Sequence, residues 1–396
     1  MKIGNALYFD HQATTPLDAR VLDKMRPYLE DSFGNPHSSD HNFGWCAAQA
    51  VDDASRQVAQ LIGADSDEIV FTSGATEANN LALLGLARKA ARDTRQNILL
   101  GTSEHKSVLA VGHVLESQLG YKVKHIPVDC HGHVLLDQLY EIINDDVFFI
   151  SIMAVNNEIG TIQRLKTISD IARQHGVIFH CDAAQAPCAT DLSKITEHVD
   201  LLSLSAHKMY GPKGIGALYA RRELQNLVEP MIYGGGQQNN LRSGTIPTAL
   251  CVGMGTAAEL MASPQALAER LAIANLRDQF VEKLQSLPWP IEINGPMLGR
   301  DRHPGNANLR FDGFSAHEIL GALQPRLAAS TGSACTTGIP EPSHVLMEIG
   351  LTPDQADSSI RFSIGRFTTK QDIEEAAELV ADALSRIANA GIVQTA

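Results

Sequence analysis

Lys208 stands in "SLSAHKMYGPKGIGALY", after a short apolar run and before a glycine-rich turn. That placement would hold its amine at the edge of a sheet. With an ordinary pKa of about 10.4 a lysine is a poor nucleophile at neutral pH, and desolvation or a nearby cation lowers that value toward the range of Schiff-base chemistry. A solvated lysine at a strand end has the same sequence signature. Asp182 ends the apolar run of "VIFHCDAAQ" in a similar way. A carboxylate so placed can meet the protonated nitrogen of a pyridine ring, or it can cap the next helix.

The stretch "FTSGATEANN" reads as a strand, the turn Ser73-Gly74-Ala75-Thr76 and a helix start. Backbone N–H groups at a helix N terminus, with the Thr76 hydroxyl, suit a phosphate. Alone the motif is weak, since Ser73 or Thr76 could be only an N-cap and the lysine of a P-loop is missing. Beside Lys208 and Asp182 it gains meaning, because pyridoxal phosphate needs a lysine, a partner for its ring nitrogen and an anion cradle.

Three further residues carry potential chemistry. His105, in "LLGTSEHKS", could lie against an aromatic ring or move protons, although a lone histidine is often structural. Arg361, in "SSIRFSIGRF", sits in an alternating strand pattern, where its guanidinium could grip a carboxylate in a bidentate pair or join a surface ion pair. Cys335 lies in "STGSACTTG", among small residues with no periodic apolar face. The run reads as an exposed loop carrying a thiol rather than as a buried structural cysteine, or else as a turn with an incidental cysteine.

Seven short apolar runs between residues 66 and 220 alternate with helix-length segments: "DEIVFTSG", "QNILLGTSEH", "YKVKHIPV", "VFFISIMAVNNEIG", "GVIFHCDAAQ", "VDLLSLSAHK" and "GIGALYA". This alternation predicts an α/β fold with a mainly parallel sheet covered on both faces. Ligands of such sheets bind beyond the carboxyl ends of the strands, where several of these runs turn polar. A polar glycine-rich loop follows at 233–247, then one long helical pattern from about Ala249 to Leu287, then strands and helices to the C terminus.

The chain of 396 residues exceeds the size of a single hydrophobic core, so a large domain and a smaller one are expected. A net charge of −13 argues against general binding to nucleic acid or to an anionic membrane. The six cysteines show no C-x-x-C pair or zinc-like spacing, which points to a reducing compartment and to no metal site. The N terminus has no signal-peptide pattern, and no run approaches the roughly 20 apolar residues of a membrane span, so a cytoplasmic protein is expected.

Taken together and in order, "YFDHQATTP", "GNPHSSDHNFGW", "FTSGATEANNLAL", "NNEIGT", "HCDAAQ", "SLSAHKMYGPKGIGALY", "LRSGT", "STGSACTTG" and "SIRFSIGRFT" resemble the blocks of the cysteine desulfurases. These belong to the NifS/IscS-like branch of the class-V aminotransferases, fold-type-I enzymes that use pyridoxal 5'-phosphate. The resemblance spans essentially the whole chain. It implies a seven-stranded sheet in a large domain, residues 16–258, and a smaller α+β domain, residues 1–15 and 259–396, carrying the cysteine loop at about 328–340.

The resemblance also implies site roles. Lys208 would be the Schiff-base lysine, Asp182 the partner of the ring nitrogen, Gln185 a donor to the phenolic oxygen, and His105 a ring stacked on the cofactor. Thr76, Ser205 and His207 would hold the phosphate, with Thr245 reaching in from the second subunit of a homodimer, and Ala75 would be a further cofactor-binding residue. Asn35, Asn157 and Arg361 would hold the substrate carboxylate, Asn157 also touching the cofactor, and Cys335 would be the catalytic cysteine. The implied reaction converts L-cysteine to L-alanine and leaves the sulfur on Cys335 as a persulfide for an acceptor protein. Relatives that feed the standard iron–sulfur scaffold carry a longer C-terminal tail, so scaffold assembly, a nitrogenase-type pathway, tRNA thiolation and DNA sulfur modification all stay open as destinations. A selenocysteine lyase, or another lyase or transaminase of the same fold, is the alternative reading.

Overall fold

The computed structural model describes residues 1–89, 95–332 and 342–395. Two short strands open the chain, β1 (Lys2–Ile3) and β2 (Ala6–Tyr8). The seven apolar runs then form β3 (Ile69–Thr72), β4 (Asn97–Gly101), β5 (Lys122–Ile126), β6 (Val147–Ser151), β7 (Ile178–Asp182), β8 (Leu201–Ser205) and β9 (Gly216–Ala220). They make one sheet in the order β3-β9-β8-β7-β6-β4-β5.

Strands β5, β4, β6, β7 and β8 pair in parallel, while β9 runs antiparallel to both β8 and β3. Strand β3 therefore points the same way as β8, and β9 alone is reversed. Strands β3, β8 and β9 are buried at every residue, as expected of apolar runs covered on both faces. Separate hydrophobic clusters occupy the two faces, one around Phe179, Leu202 and Ile150, the other around Phe149, Leu201 and Leu100. Consecutive residues of one strand thus fill opposite cores, as the two-residue period of a strand requires.

The long helical pattern after residue 247 is interrupted. Helix Thr248–Ala262 ends at Ser263, and Pro264 opens a second helix, Pro264–Gln285. Proline cannot donate the backbone hydrogen bond a continuing helix needs but fits the first turn of a new one. The first helix packs on helix Asn42–Ile62, where a Cβ on Gly255 would sit 2.7 Å from Ala54 Cα. Only a residue without a side chain permits that approach.

A second sheet is antiparallel: β10 (Ile291–Ile293), β11 (Asn306–Phe311) and β13 (Ser359–Ser363), in that order. Its core joins Phe311 and Phe362 to Phe280 of helix Pro264–Gln285 and to Val380 and Leu384 of helix Lys370–Thr395. Strand β12 (Leu327–Ala328) pairs with β2, which lies between it and β1, so the N terminus is built into this C-terminal region. The next residues, 9–15, run from there to the polar edge of the large sheet.

Candidate active site

Because β3, β4, β6, β7 and β8 point the same way, their carboxyl ends share one edge, and β9 starts there. Asp182 is the last residue of β7 and is buried. Its Oδ2 accepts the Asn79 side-chain amide at 2.8 Å, and its Oδ1 accepts the Ala184 N–H at 3.0 Å. The Asn79 amide also donates to Ser107 Oγ at 3.0 Å. Helix Ala75–Lys89 carries Asn79, so the phosphate turn and the aspartate are braced by one element.

Lys208 follows β8 at the same edge. Its Nζ donates to the carbonyl oxygens of Gln12 at 2.6 Å and Ala13 at 2.8 Å. Gln185 Nε2 donates to that same Gln12 carbonyl at 2.9 Å. Thr15 closes the other side, its hydroxyl donating to the His207 carbonyl at 2.9 Å and accepting the Tyr210 N–H at 2.8 Å. Segment 12–15 thus acts as a clamp across the lysine turn, in which Tyr210 adopts a positive φ of 65°.

His105 precedes helix Lys106–Ser117 and caps it: Nδ1 accepts the Ser107 N–H at 3.1 Å and lies 2.8 Å from Ser107 Oγ. Burial holds this imidazole below its ordinary pKa. His207 is pushed down to about 4, first by burial and then by the charge of Lys208. Both rings are neutral at physiological pH, and through Ser107 and Asn79 His105 is linked to Asp182.

The phosphate-type turn is shaped by backbone contact. A Cβ on Gly216 would meet Gly74 Cα at 2.6 Å and the Leu204 carbonyl at 2.5 Å, whereas one on Gly74 would meet nothing within 4 Å. The start of β9 therefore supports the turn closely from one side and leaves the other open. Thr76 is exposed there and Ala75 half-buried, while Ser205, the end of β8, is buried.

Arg361, in the middle of β13, is buried rather than in a surface pair. Its Nη1 donates to the Asn157 carbonyl at 2.7 Å, and its Nη2 donates to Asp10 Oδ1 at 2.7 Å and Ser330 Oγ at 2.9 Å. Its Nε finds no partner among the described residues. A guanidinium held at one end with a buried donor left over is suited to a further acceptor, such as a carboxylate.

Hydrogen bonds thus tie Lys208 to Gln185 through the Gln12 carbonyl, Asp182 to His105 through Asn79 and Ser107, and Arg361 to Asn157 directly. Asn35 and Thr245 are exposed, and Asn35 Oδ1 accepts the His37 N–H at 3.0 Å in a local turn. Cys335 lies outside the described residues. Sequence reasoning missed Asn79, Gln12, Ala13 and Asp10. Asn79 was legible as an amide one helical turn past the phosphate motif, but the clamp residues act chiefly through backbone carbonyls, which leave no mark on residue type. It also missed Glu104, a buried carboxyl whose Oε1 accepts the Met153 N–H and which desolvation and then the charge of Asp182 raise well above its ordinary pKa.

A family model described as aminotransferase class-V matches residues 7–376. The chain belongs to the class-V aminotransferase family. Within that family it falls among the cysteine desulfurases. It is 45% identical over 381 residues to cysteine desulfurase IscS of Rickettsia felis, covering 96% of this chain and 92% of the relative. Among solved structures, a NifS-like protein superposes with a TM-score of 0.88 at 32% identity, covering 96% of this chain and 99% of that one. SspA in complex with cysteine superposes at 0.78 with 36% identity, covering 91% and 99%.

The family depends on pyridoxal 5'-phosphate, and this site fits it. Asp182 is held by the Asn79 amide as an acceptor for a ring N–H, Lys208 lies at the same strand edge, and the Gly74 turn is open at a helix N terminus.

Proposed function

We propose that the protein is a pyridoxal phosphate-dependent cysteine desulfurase, which converts L-cysteine to L-alanine and takes the sulfur onto Cys335. The observation that carries this reading is the presence of Lys208 and the Asn79-braced Asp182 on one sheet edge, in a chain 45% identical to a named cysteine desulfurase.

When bound, the cofactor supplies an electron sink for the substrate's α-carbon, sustained by Asp182 at its ring nitrogen. Thr76, Ser205 and His207 would hold its phosphate with Ala75 beside them, Gln185 would donate to its phenolic oxygen, and His105 would lie against its ring. Arg361, with Asn157 and Asn35, receives the substrate carboxylate. Lys208 Nζ takes the α-proton. Its ammonium is then held by the Gln12 and Ala13 carbonyls, which accept from Nζ already.

Cys335 Sγ attacks the substrate sulfur and the Cβ–S bond breaks with its electron pair passing to Cβ; proton gain at Cβ and at the α-carbon gives L-alanine, and the sulfur stays on the enzyme as a persulfide with no outside oxidant. An unperturbed thiol has a pKa of about 8.5 and is only a few per cent thiolate at pH 7, so a base or a cationic surround should assist it. Iron–sulfur cluster assembly is the destination favoured by the resemblance to IscS.

The chain comprises residues 16–258 as one domain and 1–15 with 259–396 as another, supported by their separate cores and by the pairing of β2 with β12. It works as a homodimer in the cytoplasm, with Thr245 serving the partner's site. Among the described residues no helix is long and apolar enough to cross a membrane.

The deciding experiment measures alanine and sulfide from L-cysteine with a thiol acceptor present. The wild type releases both, and Cys335→Ala loses the sulfide. Sulfide undiminished in the variant would sink the persulfide route, and transamination without sulfide would favour the alternative enzyme class. Borohydride reduction should trap the cofactor on Lys208 and not in Lys208→Ala.

A further inference from the structure

Beside the lysine, with neither Asp182 nor His105 in its lining, lies a cavity of about 20 Å³. His11, Gln12, Gln185, Cys188, Tyr210 and His303 line it together with Lys208. His11 and Gln12 are only 4% and 2% exposed. The Nε2 of Gln12 finds no hydrogen-bond partner among the described residues, and the His11 ring has no contact of full hydrogen-bond geometry, only a loose one with the Tyr8 backbone. Under-partnered polar groups on two adjacent residues that line one small cavity form a pattern that buried polar groups rarely tolerate.

Alternative protein partners are limited. Gln12 Oε1 is already engaged by the Asn306 amide at 2.6 Å, which fixes its amide group and directs Nε2 elsewhere. A Cβ on Gly365 would lie 2.5 Å from both His11 Nδ1 and the Tyr210 hydroxyl, so this wall has no room to move inward. Burial pushes the His11 pKa down to about 3, leaving a neutral ring with one donor and one acceptor. A space of this size exceeds the roughly 10–15 Å³ a water needs, and the water would meet both a donor and an acceptor.

We infer that this cavity is a built-in water site, and that the water held by His11 and Gln12 positions the Gln12 backbone carbonyl that receives Lys208 and Gln185. His11 is then a positioning residue. It acts through the water and Gln12 on the lysine amine, and its loss lets segment 12–15 shift beneath Nζ. The inference rests on the reading of Lys208 as the cofactor-bearing, proton-accepting residue.

The test is a high-resolution crystal structure of the holoenzyme together with ¹⁵N spectra of its histidines. Solvent density within hydrogen-bond distance of His11 and Gln12 Nε2, with His11 neutral from pH 5 to 8, is the expected result. In His11→Phe, which fills the space with an apolar ring, kcat should fall about tenfold to a hundredfold with KM changed less than about twofold. His11→Asn keeps a donor and an acceptor and should recover most of that loss. A dry cavity in the wild type overturns the inference, as does a His11→Phe enzyme with unchanged kcat. Should His11→Phe fail to fold, the crystal density and the spectra of the wild type still decide. Borohydride trapping at Lys208 tests the underlying reading separately, since it succeeds or fails whatever the cavity holds.

Discussion

The side-chain amide of Asn79 donates to Asp182 at 2.8 Å and to Ser107 at 3.0 Å, so the aspartate at the end of β7 is oriented from the helix that starts at the phosphate turn. Asn79→Leu should leave a buried carboxylate short of a donor. The expected cost is about 1–3 kcal/mol of stability. Cofactor affinity should fall with it, because Asp182 is freed to turn from the ring nitrogen. Apo and holo melting curves with a cofactor titration would check this, and unaltered affinity would show that Asp182 needs no such brace.

Gly216 is held by contact rather than by conformation. In Gly216→Ala the new methyl would press on Gly74 Cα at 2.6 Å, and backbone would have to give way at the turn. Overpacking of this kind costs roughly 1–3 kcal/mol. The phosphate turn should distort, so weaker retention of the cofactor on dialysis is expected, read from the yellow absorbance of the eluted protein.

Arg361 serves the Asn157 carbonyl, Asp10 and Ser330 at once with a planar fork, which a point-charge ammonium cannot reproduce. Arg361→Lys should raise KM for L-cysteine by about tenfold or more while changing kcat less. Steady-state kinetics would decide, and an unchanged KM would mean that the arginine serves only the Asp10 pair.

Three buried histidines predict a marked acid sensitivity. Burial pushes His11 and His303 down to about 3 and His180 down to about 4. Between these values and the ordinary 6.5 the unfolded chain binds protons that the folded chain refuses. Their contribution is therefore complete above about pH 6.5 and is lost as the pH falls toward 4. Each group costs on the order of 1.4 kcal/mol per pH unit in that window. Urea melts at pH 5, 6 and 7.5 should show the midpoint falling, with little change between pH 7.5 and 8.5. A flat profile down to pH 5 would contradict the assignment of these rings as neutral.

Six of the seven strands were legible because each is a run of four or five mostly apolar, mostly buried residues, so residue type largely marks them, whereas the edge strand β5 is exposed at three of its five residues. The same holds for Lys208, Asp182 and His105, which interrupt such runs with polar groups at one end. Ser263-Pro264 shows the limit, since a periodic apolar pattern continues across a break that proline imposes on the backbone.

Residue order alone thus determined the sheet, the polar edge and the chemistry of its lysine, aspartate and phosphate turn, because those follow from hydrophobic period and from the types at the strand ends. Tertiary structure decided what surrounds them. The Gln12 and Ala13 carbonyls beneath Lys208, the Asp10 carboxylate beside Arg361 and the Asn79 brace on Asp182 join residues 103 to 351 positions apart. Backbone carbonyls carry no residue identity, and the contacts of residues 10–13 exist only once β2 has joined the C-terminal strands and carried this segment to the sheet edge, while the Asn79 brace exists only once its helix has packed on the sheet.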